Sequence, residues 1–597
     1  SRSYVWTGAR ILAAKAVAKA ASATAVMTRG LMKYRNLVYS SDPSMVVERV
    51  KKVTITRHSI TPPEYLEAVI QARKAASQVS CEMWTPVEVG HHTPSKSARS
   101  QISGLTAADV RCWSRKAQVE VRAVLDQIEE GRLSGDYAQV VVVPKIETFV
   151  KTPKKPTMKP PRLIAYPHLE VRVAEKMYLG DVAQRVAKAV VGEAYGFQYS
   201  PKQRVDYLLR AWRSKASPFG FTFDTHCFDS NVTPDDIATE ASIFTSAQMS
   251  DKQRDGIRVL SKCLYETSDM VNIRGEKVGE RFCRASGTYT TSAGNTITCF
   301  LKAKAAAKMA GIKRASFLIH GDDCLVIAES DSPSVDARKV GRFAAAMKAM
   351  GCVPGDIPVA RYSLELLDTC SSNVSVATTK SSRPYYYLTR DPSIPLARAS
   401  AEGQGYNTSG SWVGYLVANY PAIWSSRVLG VHLCDILLNT EDLPETMDFD
   451  WYGNKWSVPL NDLPEIIAAL HGKQAFETVT YSPFEVSRIS AALRDLGMGP
   501  LRHWKRRARQ VRAECMRRGG ALRRLASRLL WFAGRDTPQL DEDTIARYAS
   551  FRIFDVYSDP ESIKLPSKRE VWRKRVLKAM LVMAGAFVAL LLLKLAT

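Results

Sequence analysis

Two short apolar runs, Ala315 to Ile319 and Cys324 to Ala328, are separated by His320-Gly321-Asp322-Asp323. A glycine-containing break of this length between β-prone runs predicts a strand–turn–strand hairpin. The prediction is restrictive, because it sets two adjacent carboxylates at the tip of a hairpin whose strands are buried. Phe219-Gly220-Phe221-Thr222-Phe223 reads as a further strand, ending on Asp224. Acids projected from the ends of separate buried strands suit one chemistry in particular. Nucleotidyl transfer uses two divalent cations about 3.5–4 Å apart, held by oxygen ligands that converge from different backbones. Each piece also has an ordinary reading: Gly-Asp-Asp is a plain β-turn, and Asp224 with Asp229 is a spacing found in solvated turns.

With 597 residues, the chain needs several packed regions or lobes. Its 84 Lys and Arg against 59 Asp and Glu give a net charge of +25, which suits a polyanionic partner, nucleic acid or an anionic membrane surface. The 11 cysteines form no CxxC pair, so neither a zinc site nor a disulfide framework is indicated, and reduced thiols in a cytosolic setting are expected. The chain opens Ser1-Arg2-Ser3 with no initiator methionine, which reads as a product of proteolytic processing. Ala579 to Leu593 is an uninterrupted apolar run between Lys578 and Lys594, preceded by Arg573-Lys574-Arg575. With both lysines snorkelling, 576–597 is long enough for a membrane anchor, and the basic flank places the preceding body on the cytosolic side.

No internal repeat is present. Residues 144–161 are rich in Pro and Lys (Lys145, Lys151, Lys154, Lys155, Lys159) and predict extended basic backbone after a strand at Ala138 to Val143. Helical patterns follow over Val171 to Val191 and Asn295 to Lys308, and beyond 375 over Leu463 to His471 and Ser482 to Leu496. Residues 501–530 carry eleven Arg or Lys against the single acid Glu514, a face that repels itself unless it meets an anion. An acid-rich, Pro-containing stretch marks 537–575 as linker.

The order of three phrases gives the acids their meaning: Asp224-Thr225-His226-Cys227-Phe228-Asp229, then Ser286-Gly287-Thr288-Tyr289-Thr290-Thr291-Ser292-Ala293-Gly294-Asn295-Thr296, then Gly321-Asp322-Asp323. They resemble the A, B and C motifs of viral RNA-dependent RNA polymerases, in wording closest to the hepatitis C virus type found in hepaciviruses and pegiviruses of the Flaviviridae. The resemblance runs from Ser3-Tyr4-Val5-Trp6-Thr7-Gly8-Ala9 through Arg49-Val50-Lys51-Lys52-Val53-Thr54 and Cys370-Ser371-Ser372-Asn373-Val374-Ser375 to Leu501-Arg502-His503-Trp504, and only about 536–597 departs freely.

The resemblance implies roles residue by residue. Asp224 and Asp322 would be the principal metal ligands, helped by the Thr225 carbonyl, with Asp323 as a weaker helper; the cofactor would be two Mg2+ or Mn2+ ions. Asp229, Ser286 and Asn295 would read the ribose 2′-hydroxyl, while Gly287 and Thr291 let template and substrate backbones approach. Lys145, Lys159 and Arg162 match a basic motif lining the nucleotide channel, with Lys51 and Arg172 as further triphosphate contacts; a solvated basic loop is the alternative. Arg390, Arg398 and Tyr452 would hold the initiating nucleotide, the last on a thumb hairpin over Met447 to Pro459 that supports primer-free starts. Trp504, Lys505 and Arg506 would track RNA, with a core tryptophan as the competing reading.

The implied fold class is α+β, a right-hand polymerase with an encircled active site. Fingers with fingertips span 1–191, palm 192–231, a second fingers segment 232–290, palm again 291–374, and a mainly helical thumb 375–536. The 537–575 linker, able to fold back into the channel, and a transmembrane tail at 576–597 complete it. Implied partners are template and product RNA, ribonucleoside triphosphates, the membrane, other viral replication proteins and a second copy of the chain, at the cytoplasmic face of host endoplasmic reticulum-derived membranes. Two rival functions remain open to the sequence. A reverse transcriptase or DNA polymerase shares the palm acids, but Asp229, Asn295 and the glycine before Asp322-Asp323 favour RNA. A membrane-tethered RNA-binding scaffold would not need an intact acid set.

Overall fold

A computed structural model describes residues 38–151, 158–361, 363–400, 408–439, 443, 445–451, 454–531, 549–552 and 568–597. At its centre lies the Thr291–Ala310 helix, which buries residues on every side and is closed by Gly311 in the left-handed region at φ 71°. A helix apolar or small all round belongs inside a core. Its alanine-rich second half lets the Pro63–Ala76, Val182–Val191 and Pro333–Ala349 helices pack closely around it.

Against this helix stands a five-stranded antiparallel sheet. Its order is Ala549–Arg552, Pro358–Ala360, Pro218–Phe223, Asp323–Glu329, Lys313–His320. The expected hairpin is therefore present and both its strands are in this sheet, with His320 opposite Asp323. The outermost strand comes from the linker: Ala549 pairs with Ala360 and Arg552 with Pro358. The rest of the 537–567 stretch lies outside the described residues, as do the Ala-rich segment before residue 38 and the loop at 152–157 with Lys154 and Lys155.

A second sheet joins distant pieces of chain. Gln139–Lys145 pairs antiparallel with Arg162–Pro167 and parallel with Ser268–Val271, which in turn pairs with Lys277–Arg281. Two segments separated by more than a hundred residues thus share one core, continuous with the helices of 46–128. A separate apolar core spans 377–530, built on Trp412, Trp424, Leu463, Ile489 and Leu525. Ser372–Thr379 ties the two bodies together, pairing with Pro384–Thr389 on one side and Thr478–Tyr481 on the other. In that second body Thr446–Trp451 pairs antiparallel with Asn454–Pro459, with Phe449 buried midway along its strand.

Two expectations need correction. The 171–191 pattern is two helices, Leu169–Leu179 and Val182–Val191, because Gly180 breaks it. A Cβ on Gly180 would lie 2.6 Å from the Trp84 ring, and the Gly180 carbonyl accepts from Tyr289 Oη at 2.8 Å. At the other end, the expected apolar segment at 576–597 lies in one helix, Lys568–Ala596, which begins within the stretch to 575 that was expected as linker. Its Trp572–Ala596 portion is 25 residues with mean hydropathy 2.5 and no buried side chains, long and apolar enough to cross a membrane.

Candidate active site

The strand register brings the acids together. Phe223 pairs with Cys324, so the next residues outward, Asp224 and Asp323, face each other across the sheet, with Asp322 in the adjoining turn. Gly321 takes φ 59°, which glycine adopts without steric cost. Its amide donates to Thr296 Oγ1 at 3.0 Å, and that hydroxyl donates to Ser292 O at 2.7 Å, so the central helix holds the turn. Asp224 is held through its backbone: the Gly355 amide donates to Asp224 O at 2.9 Å and the His226 amide to Val353 O at 2.8 Å.

Electrostatics show four carboxylates crowding one spot. Asp322 is pushed up to about 6, first by desolvation, then by the charges of Asp229, Asp323 and Asp224. Asp224 is raised chiefly by burial, with His226 opposing. Both side chains open onto the cleft yet have protein on their remaining sides. Asp323 is raised by burial, offset by the Cys370 amide, which donates to its Oδ2 at 2.6 Å. Like charges held this closely, and only partly compensated by the protein, suit cations supplied from outside. All the donors are hard oxygens, as magnesium or manganese prefers. Among the described residues no group of three or more His, Cys, Asp or Glu closes into a cage.

The basic residues Lys145, Lys159 and Arg162 gather around Glu147 and Phe149. Arg162 lies opposite Lys145 in register and donates to Glu147 from Nε at 2.7 Å and again from Nη2. Its guanidinium also feels the charges of Asp229 and Asp322, which help to raise its pKa. Lys145 Nζ is 3.5 Å from Glu147, and Lys159 Nζ sits 4.3 Å over the Phe149 ring. Lys51 lies 3.7 Å from Glu48 on the same helix, and its neighbours Arg49 and Lys52 reach Cys227 Sγ at 3.4 and 3.5 Å, beside the Asp224 loop. Helical spacing, which turns adjacent residues about 100° apart, could have singled these two out. Arg172 is not brought to the acids. It donates to Ala98 O and stacks 5.3 Å from the Tyr166 ring, and burial lowers its pKa.

Around the central helix's start, Asn295 Nδ2 donates to Asp229 Oδ1 at 2.7 Å. Ser286 is half-buried at the head of the same loop. Thr291 Oγ1 is taken up by Ala285 O at 2.9 Å and Thr288 Oγ1 at 3.0 Å. Gly287 makes a close approach to protein. Its amide donates to Ala165 O at 2.7 Å, and a Cβ would lie 2.4 Å from that same oxygen. The loop is further pinned by buried Glu175, whose Oε1 accepts from Tyr265 Oη at 2.6 Å and the Tyr289 amide at 3.0 Å.

Desolvation pushes Glu175 up to about 7 from 4.5. A carboxyl raised on folding contributes full stability below its unfolded pKa, and that contribution is lost as pH rises through the folded pKa. Between about pH 4.5 and 7 this site therefore costs stability on the order of 3 kcal/mol. Glu175→Gln keeps an oxygen for both donors and removes the titration. Its melting temperature should exceed that of wild type at pH 8 by more than at pH 5; parallel pH profiles would exclude the assignment.

On the second body, Arg390 Nη2 donates to Cys370 O at 3.0 Å, so Asp323 and Arg390 hold the two faces of one turn whose Cys370 and Ser371 both have positive φ. Arg398 is on the Ser393–Ser400 helix, and Tyr452 lies outside the described residues. Trp504 is a correction. Its ring is buried between His432 and the helix core, and Nε1 donates to Met498 O at 3.0 Å, which leaves no face for a base. Lys505 is half-buried and Arg506 exposed on the same helix. The residue that motif reading missed is Arg284. It lies two positions before Ser286 and donates from Nε to Asn295 Oδ1 at 2.8 Å.

Comparison with known proteins agrees with this geometry. A family profile described as viral RNA dependent RNA polymerase matches residues 3–518. The genome polyprotein of hepatitis GB virus B is 48% identical over 573 residues, 96% of this chain and 20% of that protein. The genome polyproteins of hepatitis C virus genotype 2c (isolate BEBE1) and genotype 3k (isolate JK049) are 43% and 44% identical, each over 87% of this chain and 17% of their own length. The chain thus spans about a fifth of the polyproteins it matches. A match that long, with the acids on adjoining strands of one antiparallel sheet, shows that this chain belongs to the viral RNA-dependent RNA polymerases.

Proposed function

We propose that the chain copies a positive-strand viral RNA genome by two-metal nucleotidyl transfer and starts without a primer. The observation that carries this is the mutual repulsion of Asp322 with Asp229, Asp323 and Asp224 at the end of one sheet, faced by Arg162. Two bound divalent cations would supply an activated 3′-hydroxyl and a neutralised triphosphate. Asp224 and Asp322, with the Thr225 carbonyl, would hold them, and Asp323 would steady the Cys370 turn beside them. Arg162, Lys145 and Lys159, joined by Arg49 and Lys52, orient the triphosphate and offset charge on the departing pyrophosphate. Asp229, Asn295 and Ser286 receive the ribose 2′-hydroxyl. Arg390 and Arg398 hold the first nucleotide.

Fingers over 1–191 and 232–290, palm over 192–231 and 291–374, and thumb over 375–536 are the corresponding lobes. The parallel pairing of Gln139–Lys145 with Ser268–Val271 supports fingers made from two segments. The terminal helix would anchor this body to endoplasmic reticulum-derived membrane on the cytoplasmic face, among other viral replication proteins. Partners otherwise are template and product RNA and ribonucleoside triphosphates.

Primer independence rests on the paired strands Thr446–Trp451 and Asn454–Pro459, in which Phe449 is buried. Deleting 449–456 should lower primer-free synthesis and raise extension of annealed primers, each by at least about tenfold, the effect of one well-placed contact. Measuring both on one defined RNA, with and without a chelator, tests the whole reading. Synthesis that persists in chelator would defeat the metal assignment. Primer-free starts unaffected by the deletion would defeat the hairpin's role.

A further inference from the structure

Behind Asp229 runs a line of buried polar groups that the proposed mechanism does not use. Arg284 and Glu240 are 1% and 2% exposed. Arg284 Nη2 donates to both Glu240 oxygens at 2.6 Å, and Thr298 Oγ1 donates to Glu240 Oε2 at 2.8 Å. Arg284 Nε donates to Asn295 Oδ1 at 2.8 Å, and its backbone amide donates to Asp229 O at 3.2 Å. Asn295 then passes its Nδ2 to Asp229 Oδ1 at 2.7 Å. Gly294 makes room for the pair: a Cβ there would lie 2.0 Å from Glu240 Oε1 and 2.8 Å from Arg284 Nη2.

The chemistry of these groups fixes their direction. An asparagine amide has two ends of nearly equal size, one accepting and one donating. A guanidinium only donates, so the Asn295 oxygen must face Arg284 and its nitrogen must face Asp229. A flipped amide would set two donors against each other at Arg284 and two acceptors against each other at Asp229, both in a buried setting where an unmade bond is costly. Glu240 in turn holds the guanidinium through two charge-assisted bonds. Without it, a buried cation would swing toward the nearest carboxylate.

We propose that Arg284 and Glu240 are positioning residues for sugar choice. They lock the Asn295 amide so that Asp229 is held with one oxygen occupied and the other presented to the ribose 2′-hydroxyl. This rests on the reading of Asp229 and Asn295 as the ribose contacts. A deoxynucleotide has no 2′-hydroxyl to gain from that alignment, so the pair acts on the ratio between the two sugars.

The test is single-nucleotide incorporation by the full chain on an annealed primer–template, as kcat/KM for a ribonucleotide and for its 2′-deoxy analogue. The first variant is Arg284→Met with Glu240→Leu, which leaves no unpaired charge in the core. The second is Glu240→Gln, which keeps shape and loosens the guanidinium. The paired variant should lower the ribo-to-deoxy ratio by about tenfold, the effect of one well-made hydrogen bond, nearly all through the ribonucleotide; Glu240→Gln should move it the same way by less. Adding Asp229→Ala to the paired variant should lower the ratio little further, because both changes break one path. Equal losses on both sugars would show a merely structural pair and overturn the inference while the ribose reading stands. Should the paired variant fail to fold, an unchanged ratio in Glu240→Gln overturns it alone. If Asp229→Ala in the wild-type background leaves the ratio unchanged, the ribose reading itself falls and the inference with it.

Discussion

Asp322→Asn should cut RNA synthesis at least about a thousandfold, the effect of losing several kcal/mol of transition-state stabilisation, while the folded protein melts no lower than wild type. The two halves of this expectation have one cause. Asp322 titrates at about 6 because burial and the charges of Asp229, Asp323 and Asp224 all oppose its ionisation. Neutralising it removes repulsion, so the fold gains, and it removes a hard oxygen ligand, so the chemistry fails. Sites kept at a cost to stability in this way are a general mark of function. Primer-free synthesis on a defined RNA, run beside thermal melting of both proteins, checks it. Near-normal synthesis would overturn the active-site assignment, and melting far below wild type would show that Asp322 is structural.

Lys302→Ala should be among the most damaging single changes outside the acids, costing about 3–5 kcal/mol, the range for breaking a buried ion pair from one side. Lys302 is 2% exposed, and Nζ donates to Asp236 Oδ2 at 2.8 Å and to Met350 O at 2.6 Å. Its loss strands a buried carboxylate that also caps the Pro234–Phe244 helix through the Thr233 amide. It also frees the end of the Pro333–Ala349 helix, two residues before the Cys352–Gly355 stretch that holds the Asp224 backbone. Lys302→Met with Asp236→Asn leaves no lone charge and keeps a capping oxygen, so it should recover most of the stability. Chemical denaturation of the three proteins decides the matter; a double variant as unstable as Lys302→Ala would mean the ion pair is not the cause.

What the sequence disclosed follows from how local each signal was. The Asp322-Asp323 hairpin and the strand before Asp224 were legible because alternating burial, turn chemistry and chain neighbours all act over a few residues. The helix after Ser286 was legible for the same reason, and the ordered phrases supplied the rest. Where a distant side chain decides the outcome, local pattern is silent. Gly180 breaks the 171–191 helical pattern with the Trp84 ring lying against it, and nothing near residue 180 announces that distant contact. Trp504 amid arginines looks like an RNA contact until the 408–438 helices cover it. Arg284 and Glu240 meet across 44 positions, and an arginine in a basic chain gives no sign that it is buried. Lys51 and Lys52 differ only in which way a helix turns them, a matter settled by packing against the strand at Arg162–Pro167.

The linker strand at Ala549–Arg552 sets a tether. It is stitched to the sheet edge at Pro358–Ala360, and the terminal helix begins at Lys568, sixteen positions further on. A fully stretched chain advances about 3.3–3.6 Å per residue, so those positions reach no further than about 55 Å. While that strand is paired, Asp224 at the end of a strand two in from the same edge, and Asp323 on the strand beyond it, ride on that leash. On the proposed reading, with the terminal helix in a bilayer, a copying centre on so short a leash would work in the layer of solution next to the membrane, and lengthening 553–567 with Gly and Ser is the direct way to let it out.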